Sequence, residues 1–474
     1  MNVRLLLLIS LLLASAAPLH SRCQAADRPN VVFLLADDLG WTGLNCFGSD
    51  LYETPNLDAL AERGMKFTNA YSACTVCSPS RASVMTGMYP ARLRCTDFIA
   101  GQNRPYAKMK IPDWTKQLPS RYITIAEALK SVGYRTGHFG KWHLNAKSGP
   151  DVKSTDALSQ GFDISIARPP GSKGYFLKKG VTSNQGTNYL TDWLTDRACD
   201  FIVQERDKPF FLYFAYNVPH TPIQGREDLV QYFRAKVRED ATHKNPVYAA
   251  MVKSLDESVG RVLQQLKASG LDDNTVVIFT SDNGGLTQRY GKHDGFTENL
   301  PLRRGKGSAY EGGVRVPTIV HWPGITRAGS VCDDPVMTID YYPTLLDMLG
   351  VPGDGQHNAL MDGRSLKPLL VDSDAAIQRN LYWHYPHYHA GGDGPYSAVR
   401  SGDMRLIEFH EDDSIRLYDL KNDIGEQQDL AAAMPEKAQS LRSDLHRWRD
   451  SVAAQSPTPN PNYDPARATA KAAK

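Results

Sequence analysis

The chain has 474 residues, enough for a large hydrophobic core with a smaller unit beside it. Its 54 Lys and Arg against 52 Asp and Glu leave a formal net charge of +2, which argues against a nucleic-acid binder with its concentrated basic charge. None of the seven cysteines has the spacing of a zinc site, and the five beyond the first 26 residues other than Cys77 cannot all pair, so disulfides are optional.

Arg4, an apolar run over residues 5–13 and small residues up to Ala25 and Ala26 read as a signal peptide over residues 1–26. The protein is therefore expected to be exported, periplasmic or extracellular. The run is too short to span a membrane, and no later stretch is long and apolar enough. Residues 30–36 (Asn-Val-Val-Phe-Leu-Leu-Ala) are nearly continuously apolar, as in a parallel strand buried on both faces, and end in Asp37-Asp38. Thr54, Pro55 and Gly64 bracket a helix.

In Cys77-Ser78-Pro79-Ser80-Arg81, Ser78 suits an N-cap, Pro79 the first helical position and Gly87 the stop. That would put Cys77 at the positive end of a short helix, where free N–H groups and the peptide dipole favour an anion, with Arg81 one turn in.

Thr124 and Glu127 form a capping box ahead of a strand at 134–139, which leads to Gly140-Lys141-Trp142-His143. Residues 150–190 are rich in Gly, Ser and Lys without a clear period and are expected to pass over the active face. A strand over 209–216 ends in Asn217-Val218-Pro219-His220. The helix marked by Val252, Leu255, Val259 and Val262 is read as structural. A β-branched run over 275–280 closes in Ser281-Asp282-Asn283, and Arg303-Arg304-Gly305-Lys306 follows.

Alternating strands and helices predict an α/β fold: a large, mostly parallel sheet flanked by helices over residues 27–370. Residues 371–455 predict a smaller C-terminal antiparallel sheet plus a helix with Leu441, Leu445, Trp448 and Val452 on one face. An extended or disordered tail over 456–474 completes the chain.

Ligands bind outside the carboxyl ends of strands in such a sheet, so Asp37, Asp38, Lys141, His143, His220, Asp282 and Asn283 are expected to share a pocket. Three carboxylates and an amide oxygen suit a hard cation; calcium is the first choice because its coordination is flexible, whereas magnesium demands a tighter octahedron and usually keeps more water.

The pentapeptide at Cys77, with Thr86-Gly87 after it and Thr54-Pro55-Asn56-Leu57-Asp58 before it, resembles the formylglycine-dependent sulfatases of the alkaline phosphatase superfamily. Within that family the chain resembles secreted bacterial carbohydrate sulfatases and arylsulfatases, and further matches recur to about residue 430. The resemblance implies an alkaline-phosphatase-like fold and a sulfuric ester hydrolase. It implies that a formylglycine-generating enzyme converts Cys77 to 3-oxoalanine, whose hydrate attacks sulfur, releases the alcohol and then expels sulfate to restore the aldehyde. By the same resemblance Asp37, Asp38, Asp282, Asn283 and the modified Cys77 bind one calcium ion. Arg81 and Lys141 hold the hydrate, His143 bonds it and assists sulfate release, and Lys141, His220 and Lys306 face the sulfate, His220 or Lys306 acting as acid.

Asn145 and Arg304 stand where glycine is usual in this family, a departure that bears on loop geometry. The substrate class implied is a sulfated saccharide, with galactose or N-acetylgalactosamine favoured. Residues 382–389 (Tyr-Trp-His-Tyr-Pro-His-Tyr-His) suit a sugar, which puts His384 and His387 near the substrate. Two alternatives stay open: a phosphomonoester or phosphonate hydrolase with the same nucleophile, and an inactive secreted glycan-binding protein.

Overall fold

A computed structural model describes residues 28–146, 155–288, 295–372 and 375–469. The expected signal segment lies outside them. Among the described residues no helix is long and apolar enough to cross a membrane.

Eight strands form the main sheet, in the order Ser330–Cys332, Met65–Phe67, Thr318–His321, Thr275–Ser281, Asn30–Ala36, Phe210–Ala215, Arg135–Gly140 and Ile164–Ile166. Thr318–His321 is antiparallel to both neighbours, and every other pair is parallel. The central strand explains the continuous apolar run at its sequence position. Val31, Phe33 and Leu35 enter the core on one face, while Val32, Leu34 and Ala36 enter the core on the other. Each large apolar side chain withdrawn from water in this way contributes about 1.5–3 kcal/mol.

Helices cover both faces as alternation requires. Pro55–Arg63 follows Thr54, and its first turn is capped from afar: Asp256 accepts the N–H groups of Asn56 and Leu57 at 3.0 and 2.9 Å. This gives the 23-residue helix Pro246–Ala268 the structural role expected of it. The capping box at Thr124 and Glu127 is present, with both reciprocal hydrogen bonds. Residues 155–190 differ in part from an excursion, because Ile164–Ile166 joins the edge of the sheet beside Arg135–Gly140 before the chain reaches the strand ends.

The strands Asn380–Tyr385, Tyr396–Ser401, Met404–Phe409 and Ile415–Asp419 form an antiparallel meander, and Leu441, Leu445 and Trp448 of the helix Pro435–Ser451 are buried against it. The same core holds Tyr71, Cys74 and Val76, the segment entering the Cys77 helix. Trp383 seals this junction by donating its Nε1–H to the Ser72 carbonyl at 2.8 Å. The C-terminal unit therefore backs the segment that leads into the Cys77 helix. Beyond it Thr458–Pro459 pairs with Met109–Lys110, Asn460 donates to the carbonyls of Pro105 and Ala107, and residues 461–469 are mostly turns.

Candidate active site

Three parallel strands of the sheet, Asn30–Ala36, Thr275–Ser281 and Arg135–Gly140, deliver Asp37-Asp38, Asp282-Asn283 and Lys141 to one end of it. Asp38 takes a left-handed backbone conformation, φ 65°, which Asp tolerates better than most residues. Neighbours hold it there: its N–H donates to Asp282 Oδ1 at 3.1 Å and its carbonyl accepts from Tyr248 at 2.8 Å.

The helix Cys77–Thr86 begins two residues earlier than its sequence suggests. Val76 is the N-cap, and Ser78 Oγ accepts the Ile99 N–H instead of capping its own helix. Cys77 is thus the first helical residue, still at the positive end, and Gly87 closes the helix with φ 71°. Arg81 is fully buried. Its Nε and Nη2 hold Asp282 Oδ2 at 2.8 and 2.7 Å, and its Nη1 donates to the Lys141 carbonyl at 2.7 Å.

Two lysines flank the sulfur. Lys141 Nζ donates to both oxygens of Asp37 at 2.9 and 2.7 Å, and Lys306 Nζ to both oxygens of Asp38 at 2.6 and 2.8 Å while lying 3.8 Å from Cys77 Sγ. Burial alone would raise the Cys77 thiol, but the charges of Lys141 and Lys306 hold it well below its ordinary value. Burial likewise works against the charge on Lys306, yet Asp38 and the Cys77 sulfur keep it firmly protonated.

The two histidines have assigned protons. His143 Nε2 lies 2.5 Å from the Ile99 carbonyl, which makes Nε2 the donor and leaves the buried, unpartnered Nδ1 as the acceptor. His220 Nδ1 lies 2.5 Å from the Thr221 carbonyl, so Nε2 is the nitrogen that meets Asp38, at 3.6 Å.

The carboxylate and amide oxygens here suit a hard cation, while Cys77 and His220 add a sulfur and a nitrogen beside them. Asp37, Asp38, Cys77 and His220 place one ligand atom each within 4.8 Å of one another. Asn283 Nδ2 donates to Asp38 Oδ1 at 2.8 Å, and its Oδ1 is buried without a hydrogen-bond partner, as expected of an oxygen reserved for a metal ion. Asp282 stands a step behind, with one oxygen on Arg81 and the other on the Asp38 N–H.

Asp37, Cys77, Lys141, His143, His220 and Lys306 line one cavity of about 360 Å³, with Asp38, Arg81, Asp282 and Asn283 bonded to its floor. His384 and His387 do not line it. His384 is buried between Ser397 Oγ at 2.7 Å and the Gln455 carbonyl at 2.9 Å, and His387 Nε2 meets Thr96 Oγ1 at 2.8 Å. In this stretch only His389 reaches the cavity. Trp383 and Tyr385 fill the junction core, so the aromatic run expected to stack on a sugar is mostly domain interface.

Sequence reasoning missed the wall formed by Phe98, Ile99 and Gln102, the fully buried Asp97 that organises it, and Arg168, Tyr175 and Asn217 opposite. Asp97 accepts the Phe98 and Gln102 N–H groups and the Tyr385 hydroxyl, and burial pushes its carboxyl up to about 7. Of the two departures from family wording, Arg304 adopts φ 58°, the conformation for which glycine is the usual choice. Asn145 is not among the positive-φ residues, so a side chain fits there without backbone strain.

A cysteine at a helix start, two lysines and a cluster of carboxylates at the strand ends of a mostly parallel sheet place the chain among ester hydrolases of the alkaline-phosphatase-like type. Comparison with known proteins narrows the class. Residues 29–351 match the family described as Sulfatase, and residues 305–453 match the C-terminal part of N-sulphoglucosamine sulphohydrolase. A sulfatase of Formosa agariphila is 33% identical over 93% of this chain and 92% of its own. Human arylsulfatase A is 31% identical, over 91% and 89%. The crystal structure of Ps i-CgsB in complex with k-i-k-neocarrahexaose superposes with a TM-score of 0.74 at 27% identity, covering 92% of this chain and 94% of that one. The chain belongs to the sulfatase family and is a hydrolase of sulfate esters.

Proposed function

We propose that the enzyme removes sulfate from a sulfated carbohydrate of galactose or N-acetylgalactosamine type, after export, with an aldehyde made from Cys77 and one calcium ion. The observation that carries this reading is the position of Cys77, at a helix start between Lys141 and Lys306 and beside carboxylates that leave the buried Asn283 Oδ1 without a partner. The carbohydrate class is supported by the saccharide bound to Ps i-CgsB.

Asp37, Asp38, Asp282 and Asn283 would hold the ion, with the oxygen-bearing side chain derived from Cys77. When bound, calcium polarises a sulfate oxygen and the hydrated aldehyde supplies an oxygen nucleophile. The remaining work belongs to the chain's own side chains. Arg81, locked by Asp282 and the Lys141 carbonyl, sets the position of the nucleophile helix against the sheet. His143, with its proton fixed on Nε2 by Ile99, presents Nδ1 as a base for a hydroxyl at residue 77. Lys141 and Lys306 are preorganised cations for the charge that builds on the sulfate and on the departing oxygen. His220 faces the same space through Nε2 and is the candidate acid: burial opposes its charge, but Asp38 raises its affinity for the proton.

Mass spectrometry of the peptide spanning Cys77, from protein matured beside a formylglycine-generating enzyme, should find an aldehyde in place of the thiol. The same preparation should hydrolyse sulfate monoesters in preference to phosphate monoesters at matched pH and lose activity on chelation. An unmodified thiol in fully active enzyme, or a preference for phosphate, contradicts the proposal.

A further inference from the structure

The cavity mouth carries polar groups that the scissile sulfate does not need. Arg168 lines it, is exposed, and makes no ion pair among the described residues. The cations below it are committed by contrast, Lys141 to Asp37 and Lys306 to Asp38. Gln102 and Asn217 line the same cavity, and the side-chain carbonyl oxygen of each is buried without a hydrogen-bond partner. The wall that holds these groups is firmly built. The Tyr175 hydroxyl bonds the carbonyls of Asn217 and His220 at 2.5 and 2.7 Å and lies within electrostatic reach of Arg168, while the Gln102 N–H donates to buried Asp97 at 3.3 Å.

Two unengaged acceptors call for hydroxyl donors, and a free guanidinium calls for a two-oxygen anion that it can grip with parallel N–H bonds. A simple aryl sulfate offers neither. We propose that the mouth is a second anion subsite: Arg168 pairs with a sulfate or carboxylate elsewhere on the saccharide, and Gln102 and Asn217 accept from its hydroxyls, so the enzyme selects multiply anionic sugars. This rests on the sulfatase reading of the same cavity and adds to it the charge pattern of the substrate.

The test compares wild type with Arg168→Ala on four probes: 4-nitrophenyl sulfate, galactose 6-sulfate, D-glucosamine-2-N,6-O-disulfate and the chondroitin 6-sulfate disaccharide. A charged hydrogen bond lost from a subsite weakens binding about 10- to 100-fold. The KM of the variant should rise by that factor on the disulfate, the uronate disaccharide or both, with 4-nitrophenyl sulfate and galactose 6-sulfate unchanged. Loss on the disulfate alone identifies sulfate as the second anion, and loss on the disaccharide alone identifies carboxylate. Equal loss on all four probes, or none on any, overturns the subsite. Titration calorimetry of the doubly anionic probes into Cys77→Ala protein, with and without Arg168→Ala, reads the subsite without turnover. Wild type that cleaves no sulfate ester therefore refutes the underlying reading separately, and the absence of Arg168-dependent binding refutes this one.

Discussion

Two clusters of buried charge lie at opposite ends of the chain's logic. At the junction of the two units, Glu311 binds Arg405 and Arg315 and accepts the Tyr71 hydroxyl at 2.7 Å, while Glu426 accepts the Glu311 N–H at 2.7 Å and pairs with Arg405 at 3.7 Å. Glu311, Arg405 and Glu426 are all 0% exposed. At the strand ends, Asp37, Asp38 and Asp282 face Arg81, Lys141 and Lys306, but Lys141 and His220 keep 14% and 29% of their side chains exposed and the Asn283 oxygen is unpartnered. The junction spends its charges on one another. The strand-end cluster holds charge ready for something that arrives, which is the difference between a buried network that joins two units and one that performs chemistry.

That contrast predicts opposite responses to mutation. In the site, Lys306→Ala should lower the rate of sulfate release about 10²- to 10³-fold, as expected for a lost charge-stabilising group, while the calcium-loaded protein still melts cooperatively near the wild-type temperature. Parallel assays of turnover and thermal unfolding check it; a collapsed fold with normal specific activity would erase the distinction. At the junction, Arg405→Met should destabilise by about 3–5 kcal/mol, because buried Glu311 is left with Arg315 alone of its two arginine partners and Glu426 loses Arg405. Urea unfolding should show the lowered midpoint, with turnover of the folded fraction retained. Adding Glu311→Gln and Glu426→Gln should recover much of the loss.

Much of the site was legible because its signals are local. An apolar run followed by acids marks a buried strand and its end, as at residues 30–38 and 275–283, and the capping box at Thr124 needs only four residues to be seen. The 96–102 wall has no such signature. It is ordered by Asp97 hydrogen bonds and by contacts with Ser78 and His143, all of which depend on the finished fold. Residues 382–389 mislead for a related reason. Aromatic and imidazole density suggests a sugar platform, but alternate residues of Asn380–Tyr385 face opposite sides of a strand covered on both. Trp383 packs edge-on against Tyr71 at 5.3 Å, while Tyr382 stacks on Trp448 at 4.8 Å.

An effect confined to acid pH, and absent at neutral pH, follows from that correction. Burial pushes His384 down to about 3, so it is neutral when folded. Between an unfolded value near 6.5 and the folded value near 3, the unfolded chain binds the extra proton, and stability falls with falling pH by about 1.4 kcal/mol per unit for this group. His384→Asn should remove that share of the slope, seen as flatter acid dependence in urea unfolding, and should leave the saccharide KM unchanged. A raised KM with unaltered acid stability would return His384 to the substrate.

The central claim is that chemistry starts at residue 77. Release of sulfate from 4-nitrophenyl sulfate should be compared between wild type and Cys77→Ala, both matured with a formylglycine-generating enzyme and loaded with calcium. A fall of about 10⁴-fold or more, the scale seen when a covalent nucleophile is removed, is the predicted result; equal rates would contradict it.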